Sequence, residues 1–314
     1  MDTLTAIDRI SSLLAAARRV LFITGAGISA DSGLPTYRGV GGLYNDDATE
    51  DGLPIEMALS GDVFAVRPDI TWKYLAQIEQ NCRGAVPNPA HRAIAVLEQL
   101  MSRVVVFTQN VDGLHRKAGS SDLIEIHGNL QELLCTECDH GETVDDLAGR
   151  ELPPRCPACG GVLRPNVVLF GEALPAGAMS RFSDALDEGV DMVFTIGTSG
   201  VFPYIAEPVV WAARAGIPTV EINPVETRLT RFVEYHLPLG AAEAMTAIMA
   251  ALDRHGLPGG PRFEKGDSRI VPNAAGAAIA SAAIASANAR GRRRRGSSRR
   301  HRCRPAPAGC WRSR

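Results

Sequence analysis

Two pairs of closely spaced cysteines constrain the fold of this 314-residue chain more than any other feature. They are the C-x-x-C pairs Cys135/Cys138 and Cys156/Cys159, with seventeen residues between them. Each pair directs two thiolates at one point, and tetrahedral zinc needs four ligands. The spacing therefore predicts a zinc ribbon whose metal is structural, because four protein ligands leave no open position. The alternative, four structural or redox thiols, requires both pairs to fall at ribbon spacing by chance.

The nearly balanced charge of the chain conceals two different parts. The net charge is −2, but 11 of the 33 basic residues are arginines between Arg290 and Arg314. The rest of the chain has 22 basic and 35 acidic residues, so it is strongly acidic. An acidic body argues against a broad basic face that binds nucleic acid. Residues 258–314 are rich in Gly, Ala, Ser and Arg and have little to bury, which predicts disorder. This tail is either a tether to nucleic acid or a membrane surface, or a dispensable extension.

Several features predict a cytoplasmic protein. The early acidic residues Asp2 and Asp8 are unlike a secretory signal. The longest stretch of small apolar residues, Ala274–Ala289, is too short and too weakly hydrophobic for a membrane span. Cysteine pairs suited to a metal rather than to disulfides indicate a reducing compartment.

Strand patterns and helix patterns alternate along the first 257 residues. Apolar residues at helical spacing predict helices over Leu4–Arg18, Asp69–Gln80 and Pro89–Met101. Short apolar runs predict five buried strands, which are Arg19–Thr24, Arg103–Thr108, Leu123–Ile126, Asp191–Ile196 and Pro218–Ile222. This alternation is typical of an α/β protein with a parallel sheet and crossover helices.

Two segments interrupt the alternation. Tyr37–Gly61 is rich in Gly, Asp and Asn and is predicted to be a long mobile loop. It opens a helical insertion over about residues 37–88. The cysteine-bearing segment forms a second inserted module over about residues 130–165.

A glycine-rich turn follows the first predicted strand. Its sequence, Gly25-Ala26-Gly27-Ile28-Ser29-Ala30, fits G-x-G-x-x-G/A and precedes a predicted helix. Such glycines permit a tight turn and let a pyrophosphate approach the backbone, although a turn can also need glycine for packing alone. The acidic residue expected about 20 positions later at a strand end is missing. The turn is therefore predicted to hold a dinucleotide, but not in the manner of a dehydrogenase.

Polar residues follow two further predicted strands. Gln109, Asn110 and Asp112 come after one strand, and His127 comes after the next. The carboxyl ends of parallel strands meet at one edge of a sheet, where ligands bind. A lone histidine is more often structural, but His127, between a strand and a glycine, is a candidate general base.

Seven motifs occur here in the order found in sirtuins. They are GAGISADSGLPTYRG from Gly25, TQNVDGLH from Thr108, EIHGN from Glu125, the four cysteines, RPNVVLFGE from Arg164, GTS from Gly197 and EINP from Glu221. The chain thus resembles the sirtuin family over Leu4–Leu252. The resemblance implies a Rossmann-like catalytic domain over residues 1–257, with a zinc module and a small helical module.

The resemblance also implies an NAD-dependent protein lysine deacylase, with NAD as co-substrate and acyl-lysine proteins as partners. The catalytic residues would be His127, Asn110 and Asp112. The substrate backbone would pair with Val167, Leu169, Phe170 and Gly171. NAD would be bound by Gly25, Ala26, Gly27, Ser29, Asp31, Pro35, Tyr37, Arg38, Gln109, Asn110, Asp112, Gly197, Thr198, Ser199, Asn223 and Ala241.

The implied reaction releases nicotinamide and forms O-acyl-ADP-ribose and free lysine. The acyl oxygen attacks the ribose carbon, and His127 acts as general base on a ribose hydroxyl. Family members that prefer succinyl- or malonyl-lysine have a Tyr-x-x-Arg pair, where this chain has Leu75 and Ile78. A pocket of Leu and Ile cannot pair a carboxylate, so we expect acetyl or longer apolar acyl groups.

Two other functions remain open at this point. A mono-ADP-ribosyltransferase would use the same NAD cleavage, although His127 with Asn110 and Asp112 favours deacylation. A non-enzymatic nucleic-acid-binding module with a zinc ribbon and an arginine tail is disfavoured by the acidic body and by the lack of interleaved aromatics. Nucleic-acid binding is therefore expected, if at all, only through the tail.

Overall fold

A computed structural model of the chain describes residues 1–36 and 49–255. The predicted cofactor residues Tyr37 and Arg38 and the predicted disordered tail lie outside these ranges. Nine strands are described: β1 Arg19–Thr24, β2 Arg103–Thr108, β3 Leu123–Glu125, β4 Gly128–Cys135, β5 Gly141–Thr143, β6 Leu163–Val167, β7 Met192–Ile196, β8 Thr219–Ile222 and β9 Tyr235–Leu237.

Six of these strands form a parallel sheet in the order β3-β2-β1-β7-β8-β9. The predicted parallel sheet is therefore confirmed, with β9 as an additional edge strand. The chain leaves β1 toward β2 on one side and returns to β7 on the other, so the strand order reverses at β1. In sheets of this type, ligands bind at the carboxyl ends of the strands beside such a switch point.

Helices cover both faces of the parallel sheet. The described helices are α1 Thr3–Ala16, α2 Ile55–Ala58, α3 Gly61–Val66, α4 Pro68–Cys82, α5 Pro89–Leu100, α6 Leu114–Ala118, α7 Ala176–Asp187, α8 Pro203–Arg214 and α9 Ala241–His255. Alternate residues of β1 point to opposite faces. Phe22 packs in the core with α1, α5 and α9, and Ile23 packs in the core with α7 and α8.

The helical insertion and the cysteine-bearing sheet share a third core. Strands β5, β4 and β6 form a separate antiparallel sheet, which packs against α2, α3 and α4. Trp72 of α4 is fully buried, and its indole N–H donates to the Leu163 carbonyl at 2.8 Å. The two predicted insertions are therefore packed against each other.

One part of the predicted loop over Tyr37–Gly61 is wrong. Residues Ile55–Ala58 form the single-turn helix α2, with Pro54 at its N-cap. Ala58 and Leu59 are buried against the core that contains Trp72, which explains why this stretch is helical. Within the described ranges, no helix combines the length and the apolar character needed to cross a membrane.

Candidate functional site

The glycine-rich turn after β1 lies directly against the turn after β7. Gly27 N–H donates to the Gly197 carbonyl at 2.9 Å. A Cβ on Gly27 would lie 2.6 Å from Gly197 Cα, and one on Gly197 would lie 2.3 Å from Ile28 N. Contact this close excludes any side chain at either position, so both glycines are needed for the two turns to pack against each other.

The element after this turn is a 3₁₀ helix, Ala26–Ser32, rather than an extended α-helix. Ile28 N–H donates to the Gly25 carbonyl at 3.1 Å, which is the tighter spacing of a 3₁₀ turn. The helix ends at Gly33, whose φ of +82° suits glycine. A helix does follow the glycine turn, as predicted. It is a short 3₁₀ helix because of these contacts.

Asn110, Ser29 and Asp112 form one hydrogen-bonded cluster at the ends of β1 and β2. The Asn110 amide donates to the Gly25 carbonyl at 3.1 Å and to Ser29 Oγ at 3.2 Å. Ser29 Oγ donates to Asp112 Oδ2 at 2.7 Å. Burial raises the pKa of Asp112, although hydrogen bonds from Leu114 N–H and Ser29 oppose the shift.

This cluster opens into a cleft with an unused acceptor. The cleft is lined by Ala26, Ser29, Leu34, Pro35, Ile78, Asn81, Cys82, Asn110 and Asp112. Asn110 Oδ1 is buried and has no hydrogen-bond partner within the described residues. Because buried polar atoms are normally paired, this oxygen fits a hydrogen-bond donor on a bound ligand.

His127 lies between β3 and β4, with its ring held by two hydrogen bonds. Nδ1 lies 3.0 Å from the Gln109 carbonyl, and Nε2 lies 2.7 Å from the Tyr204 hydroxyl. A carbonyl only accepts, so Nδ1 carries the proton and Nε2 is the basic nitrogen. Burial lowers the pKa of His127, and the Gln109 contact partly opposes this shift. His127 is thus neutral at neutral pH, as a general base must be.

The glycine after His127 fixes where that ring lies. Gly128 has a φ of +81°, and a Cβ there would lie 1.8 Å from the Asn166 carbonyl oxygen. The His127 carbonyl accepts from Val168 N–H at 2.9 Å. The histidine is therefore held between β4 and the segment that follows β6.

Several predicted cofactor residues lie together at the ends of β2, β7 and β8. The Gln109 amide donates to Thr198 Oγ1 at 2.8 Å, and the Asn223 amide donates to the Thr198 carbonyl at 3.3 Å. Ser199 is exposed beside them. Asp31 instead lies at the start of α9, where its carboxylate accepts from Ala242 N–H at 2.8 Å, beside the buried Ala241.

The segment after β6 is anchored beside His127. The Phe170 N–H donates to the Leu59 carbonyl, and the Phe170 carbonyl accepts from Gly61 N–H, both at 3.0 Å. Glu172 accepts from Leu169 N–H at 2.9 Å and pairs with Arg164 at 2.7 Å. The predicted substrate residues Val167, Leu169, Phe170 and Gly171 thus lie on a fixed backbone between His127 and the α2–α3 connection.

The four cysteines form a candidate zinc centre. Their Sγ atoms all lie within 4.8 Å of one another. The Sγ–Sγ distance is 3.5 Å between Cys135 and Cys159 and 3.7 Å between Cys138 and Cys156. Four sulfurs at ~2.3 Å from a zinc ion lie ~3.8 Å apart, whereas a disulfide is ~2.05 Å long. The distances fit zinc, and none of the four cysteines forms a disulfide.

Backbone amides support the two cysteine turns in the same way. Glu137 N–H points at Cys135 Sγ at 3.3 Å, and Gly161 N–H points at Cys159 Sγ at 3.4 Å. These donors favour the thiolate form that binds metal. A Cβ on Gly161 would lie 2.6 Å from Glu137 Cγ, so this glycine lets the two turns approach each other.

Comparison with known proteins adds a family to this geometry. The family model described as "Sir2 family" matches residues 25–203, which cover the glycine turn, the catalytic candidates and all four cysteines. The chain is 50% identical over 243 residues to NAD-dependent protein deacylase 2 of Pseudomonas syringae pv. tomato, covering 76% of this chain and 98% of that protein. This chain belongs to the Sir2 family.

Other Sir2 relatives and solved structures agree. NAD-dependent protein deacylase 2 of Pseudomonas aeruginosa is 48% identical over 258 residues, covering 81% of this chain and all of that protein. A Sir2 homolog–NAD complex has a TM-score of 0.70 and 35% identity, covering 79% of this chain and 94% of that one. A Sir2–p53 peptide–NAD⁺ structure has a TM-score of 0.66 and 31% identity, with coverage of 77% and 96%.

The Sir2 site also contains buried side chains that were not among the predicted catalytic or cofactor residues. His115 Nε2 lies 2.9 Å from Thr24 Oγ1, which donates to Thr108 Oγ1 at 2.8 Å. Thr108 Oγ1 accepts in turn from Asn110 N–H at 3.1 Å. Burial lowers the pKa of His115 to about 3, so this path is uncharged. It fixes the backbone of Asn110, and only the three-dimensional pairing of β1 with β2 brings its members together.

We expect Thr108→Val to weaken NAD binding as well as lower stability. The change keeps the side-chain shape but leaves the buried Asn110 N–H without its acceptor, at a cost of ~1–3 kcal/mol. It also removes the acceptor of the Thr24 O–H, which keeps only its contact with His115. Calorimetry should give about 10-fold weaker NAD binding, together with a lower Tm.

Thr71→Val is the matched control for this change. The buried Thr71 hydroxyl donates to the Ala58 carbonyl at 2.8 Å, away from Asn110. This variant should lose stability and keep its NAD affinity. Equal NAD affinity in both variants would show that the buried path does not position Asn110.

Proposed function

We propose that this chain is an NAD-dependent protein lysine deacylase, and specifically a deacetylase, that forms nicotinamide, O-acyl-ADP-ribose and free lysine. The observation that carries this function is the setting of His127. Its Nδ1 binds the Gln109 carbonyl, which leaves Nε2 as a base beside the strand ends that bear Asn110 and Asp112. The relatives named NAD-dependent protein deacylases support the same reaction.

The chemistry of the cleft fits NAD as the co-substrate. The unpaired Asn110 Oδ1 suits an N–H donor such as the carboxamide of nicotinamide. The Asp112 carboxylate, which accepts from Ser29, suits a ribose hydroxyl nearby. The described residues proposed to contact NAD are Gly25, Ala26, Gly27, Ser29, Asp31, Pro35, Gln109, Asn110, Asp112, Gly197, Thr198, Ser199, Asn223 and Ala241.

His127, Asn110 and Asp112 would divide the catalytic work. Bound NAD supplies a ribose carbon that releases nicotinamide readily and is open to the acyl oxygen of the substrate. His127 Nε2 accepts the proton of a ribose hydroxyl, while Nδ1 keeps its own proton and donates it in the hydrogen bond to the Gln109 carbonyl. Asn110 and Asp112 orient the ribose and the carboxamide. General-base assistance of this kind is worth about 10²- to 10⁴-fold in rate.

Acyl-lysine proteins are the proposed partners. Val167, Leu169, Phe170 and Gly171 would hold the substrate as an added strand along their segment. The Phe170 N–H and carbonyl already bond Leu59 and Gly61, so they would not be among the groups that pair with the substrate backbone. Their segment is fixed beside the base, because Val168 N–H binds the His127 carbonyl. The related Sir2 structure with a p53 peptide supports a peptide substrate for the family fold.

Three further properties accompany this function. The catalytic domain would span residues 1–257, with the helical insertion over about 37–88 and the zinc module over about 130–165. The shared core around Trp72 supports treating both insertions as parts of that domain. The four thiolates of the zinc site suit a reducing compartment, which supports a cytoplasmic location.

An acyl-selectivity experiment tests the proposed function. Leu75 and Ile78 are both buried, and Ile78 lines the cleft beside Asn110 and Asp112. An unpaired succinyl carboxylate there would cost several kcal/mol. Mass spectrometry of acyl-lysine peptides should show NAD-dependent deacetylation at least about 100-fold faster than desuccinylation.

The double variant Leu75→Tyr with Ile78→Arg is the matched control, and it should gain desuccinylation. Long-chain acyl peptides, run in parallel, measure how far the apolar preference extends. Equal rates on acetyl and succinyl peptides in the unmodified protein would refute the acyl preference. If ADP-ribose becomes attached to protein and no peptide is deacylated, the protein is a mono-ADP-ribosyltransferase and not a deacylase.

A further inference from the structure

The basic nitrogen of His127 already has a hydrogen-bond partner in this structure. Tyr204 is the second residue of α8, and its hydroxyl lies 2.7 Å from His127 Nε2. Its ring stacks on Phe202 with centroids 5.4 Å apart and planes at 14°. Both rings meet the His127 imidazole edge-on, at 6.0 and 6.2 Å between centroids. The phenol is therefore held against this one nitrogen by packing on two sides.

The direction of this hydrogen bond follows from the other side of the imidazole. Nδ1 carries the proton because the Gln109 carbonyl can only accept. Nε2 then offers a single lone pair, so the Tyr204 O–H must donate to it. Burial raises the pKa of Tyr204 to about 12, so the phenol keeps its proton at neutral pH.

A general base needs that same lone pair for the ribose hydroxyl. One imidazole lone pair accepts one strong hydrogen bond, so the phenol and the ribose hydroxyl compete for it. We propose that Tyr204 caps the basic nitrogen of His127 in the free enzyme and is displaced when the cofactor's ribose binds. This inference rests on the proposed function, because it takes Nε2 as the base.

The cap has two consequences for the enzyme. It holds the imidazole plane fixed from both ring nitrogens before the cofactor arrives, which preserves the tautomer needed for catalysis. It also lowers the affinity for the cofactor, because the hydrogen bond between the Tyr204 phenol and His127 must break when the cofactor binds. Tyr204 is thus a positioning residue whose removal strengthens cofactor binding, opposite to the loss expected for a direct cofactor contact.

The test compares Tyr204→Phe with the unmodified full-length protein, using ADP-ribose as the probe. This change removes the hydroxyl and keeps the ring stacked on Phe202. One net hydrogen bond corresponds to about 2- to 10-fold, so calorimetry should show ADP-ribose binding tighter by that factor. The KM for NAD should fall by a similar factor, with kcat for deacetylation within about 2-fold.

Nitrogen-15 NMR of the imidazole gives an independent readout. The His127 Nε2 signal, assigned with His127→Ala, should shift on Tyr204→Phe in the free protein. Tyr204→Phe and the unmodified protein should give the same Nε2 signal once ADP-ribose is bound. Tyr235→Phe is the matched control, because it removes a phenol from the distant edge strand β9 and should change neither signal nor affinity.

Unchanged or weaker ADP-ribose binding by Tyr204→Phe overturns the proposal, as does an unchanged Nε2 signal in the free protein. These measurements need no turnover, so they are separate from the test of deacylation. If Tyr204→Phe binds ADP-ribose more tightly and shifts the Nε2 signal, but the unmodified protein has no deacylase activity, the role of Tyr204 is supported and the proposed function is refuted.

Discussion

Replacing His127 with alanine should lower kcat for deacetylation by about 10²- to 10⁴-fold while the Kd for NAD stays within about 3-fold. The imidazole supplies the base in the reaction, whereas Asn110, Ser29 and Asp112 bind one another without it. Steady-state kinetics on an acetyl-lysine peptide and calorimetry with NAD measure the two quantities separately.

The pH profile adds a second readout for the same residue. Burial holds the pKa of His127 below its ordinary value of 6.5, so the base is neutral above that pH and is lost as the pH falls through the lowered pKa. The acid limb of kcat/KM should therefore lie below pH 6.5 and be absent in the variant's residual activity. His255→Ala is the control, because His255 pairs with Asp8 far from the cleft. More than a tenth of the activity in His127→Ala would contradict the assignment of the base.

Loss of zinc should unfold the antiparallel sheet of β5, β4 and β6 and abolish enzyme activity. Cys156 is buried in the core that β4 and β6 share with α4, so Cys156→Ser removes a metal ligand inside that core. The expected cost is about 3–5 kcal/mol, or roughly 10 °C in Tm. Because β4 begins directly after His127, disorder in this sheet should also displace the base.

Metal analysis and calorimetry test this prediction. The unmodified protein should carry about one zinc per chain, and Cys156→Ser should carry little. Cys82→Ser is the matched control, because Cys82 lies outside the four-sulfur cluster and its replacement should leave zinc content unchanged. Full turnover and an unchanged Tm after zinc is stripped with a chelator would contradict a structural role for the metal.

The sequence predicted those parts of the fold that local patterns determine. The apolar runs at Arg19–Thr24 and Arg103–Thr108 are strands over the same residues in the structure, because strands buried on both faces need continuous apolar sequence. The cysteine spacing likewise predicted the four-sulfur cluster. By contrast, Tyr235–Leu237 has only three residues and is a strand because it pairs with β8, which no local pattern reveals.

The missed parts of the site depend on contacts between distant residues. Tyr204 and His127 are 77 positions apart in the sequence. They meet because β7 and β2 both pair with β1, which brings the residues that follow these strands together. Thr24 reads in the sequence as the end of a buried strand, yet its hydroxyl links His115 to Thr108. The shared core of the two insertions is hidden for the same reason, since Trp72 and Leu163 are joined only by packing.

The most direct test of the central claim is the product balance of one reaction. The purified full-length protein is incubated with NAD and an acetyl-lysine peptide, and nicotinamide, deacetylated peptide and O-acetyl-ADP-ribose are quantified together. Equal amounts of all three products are expected, because each turnover transfers one acetyl group to one ADP-ribose. Nicotinamide released with free or protein-bound ADP-ribose, and without deacetylated peptide, would contradict the deacylase function.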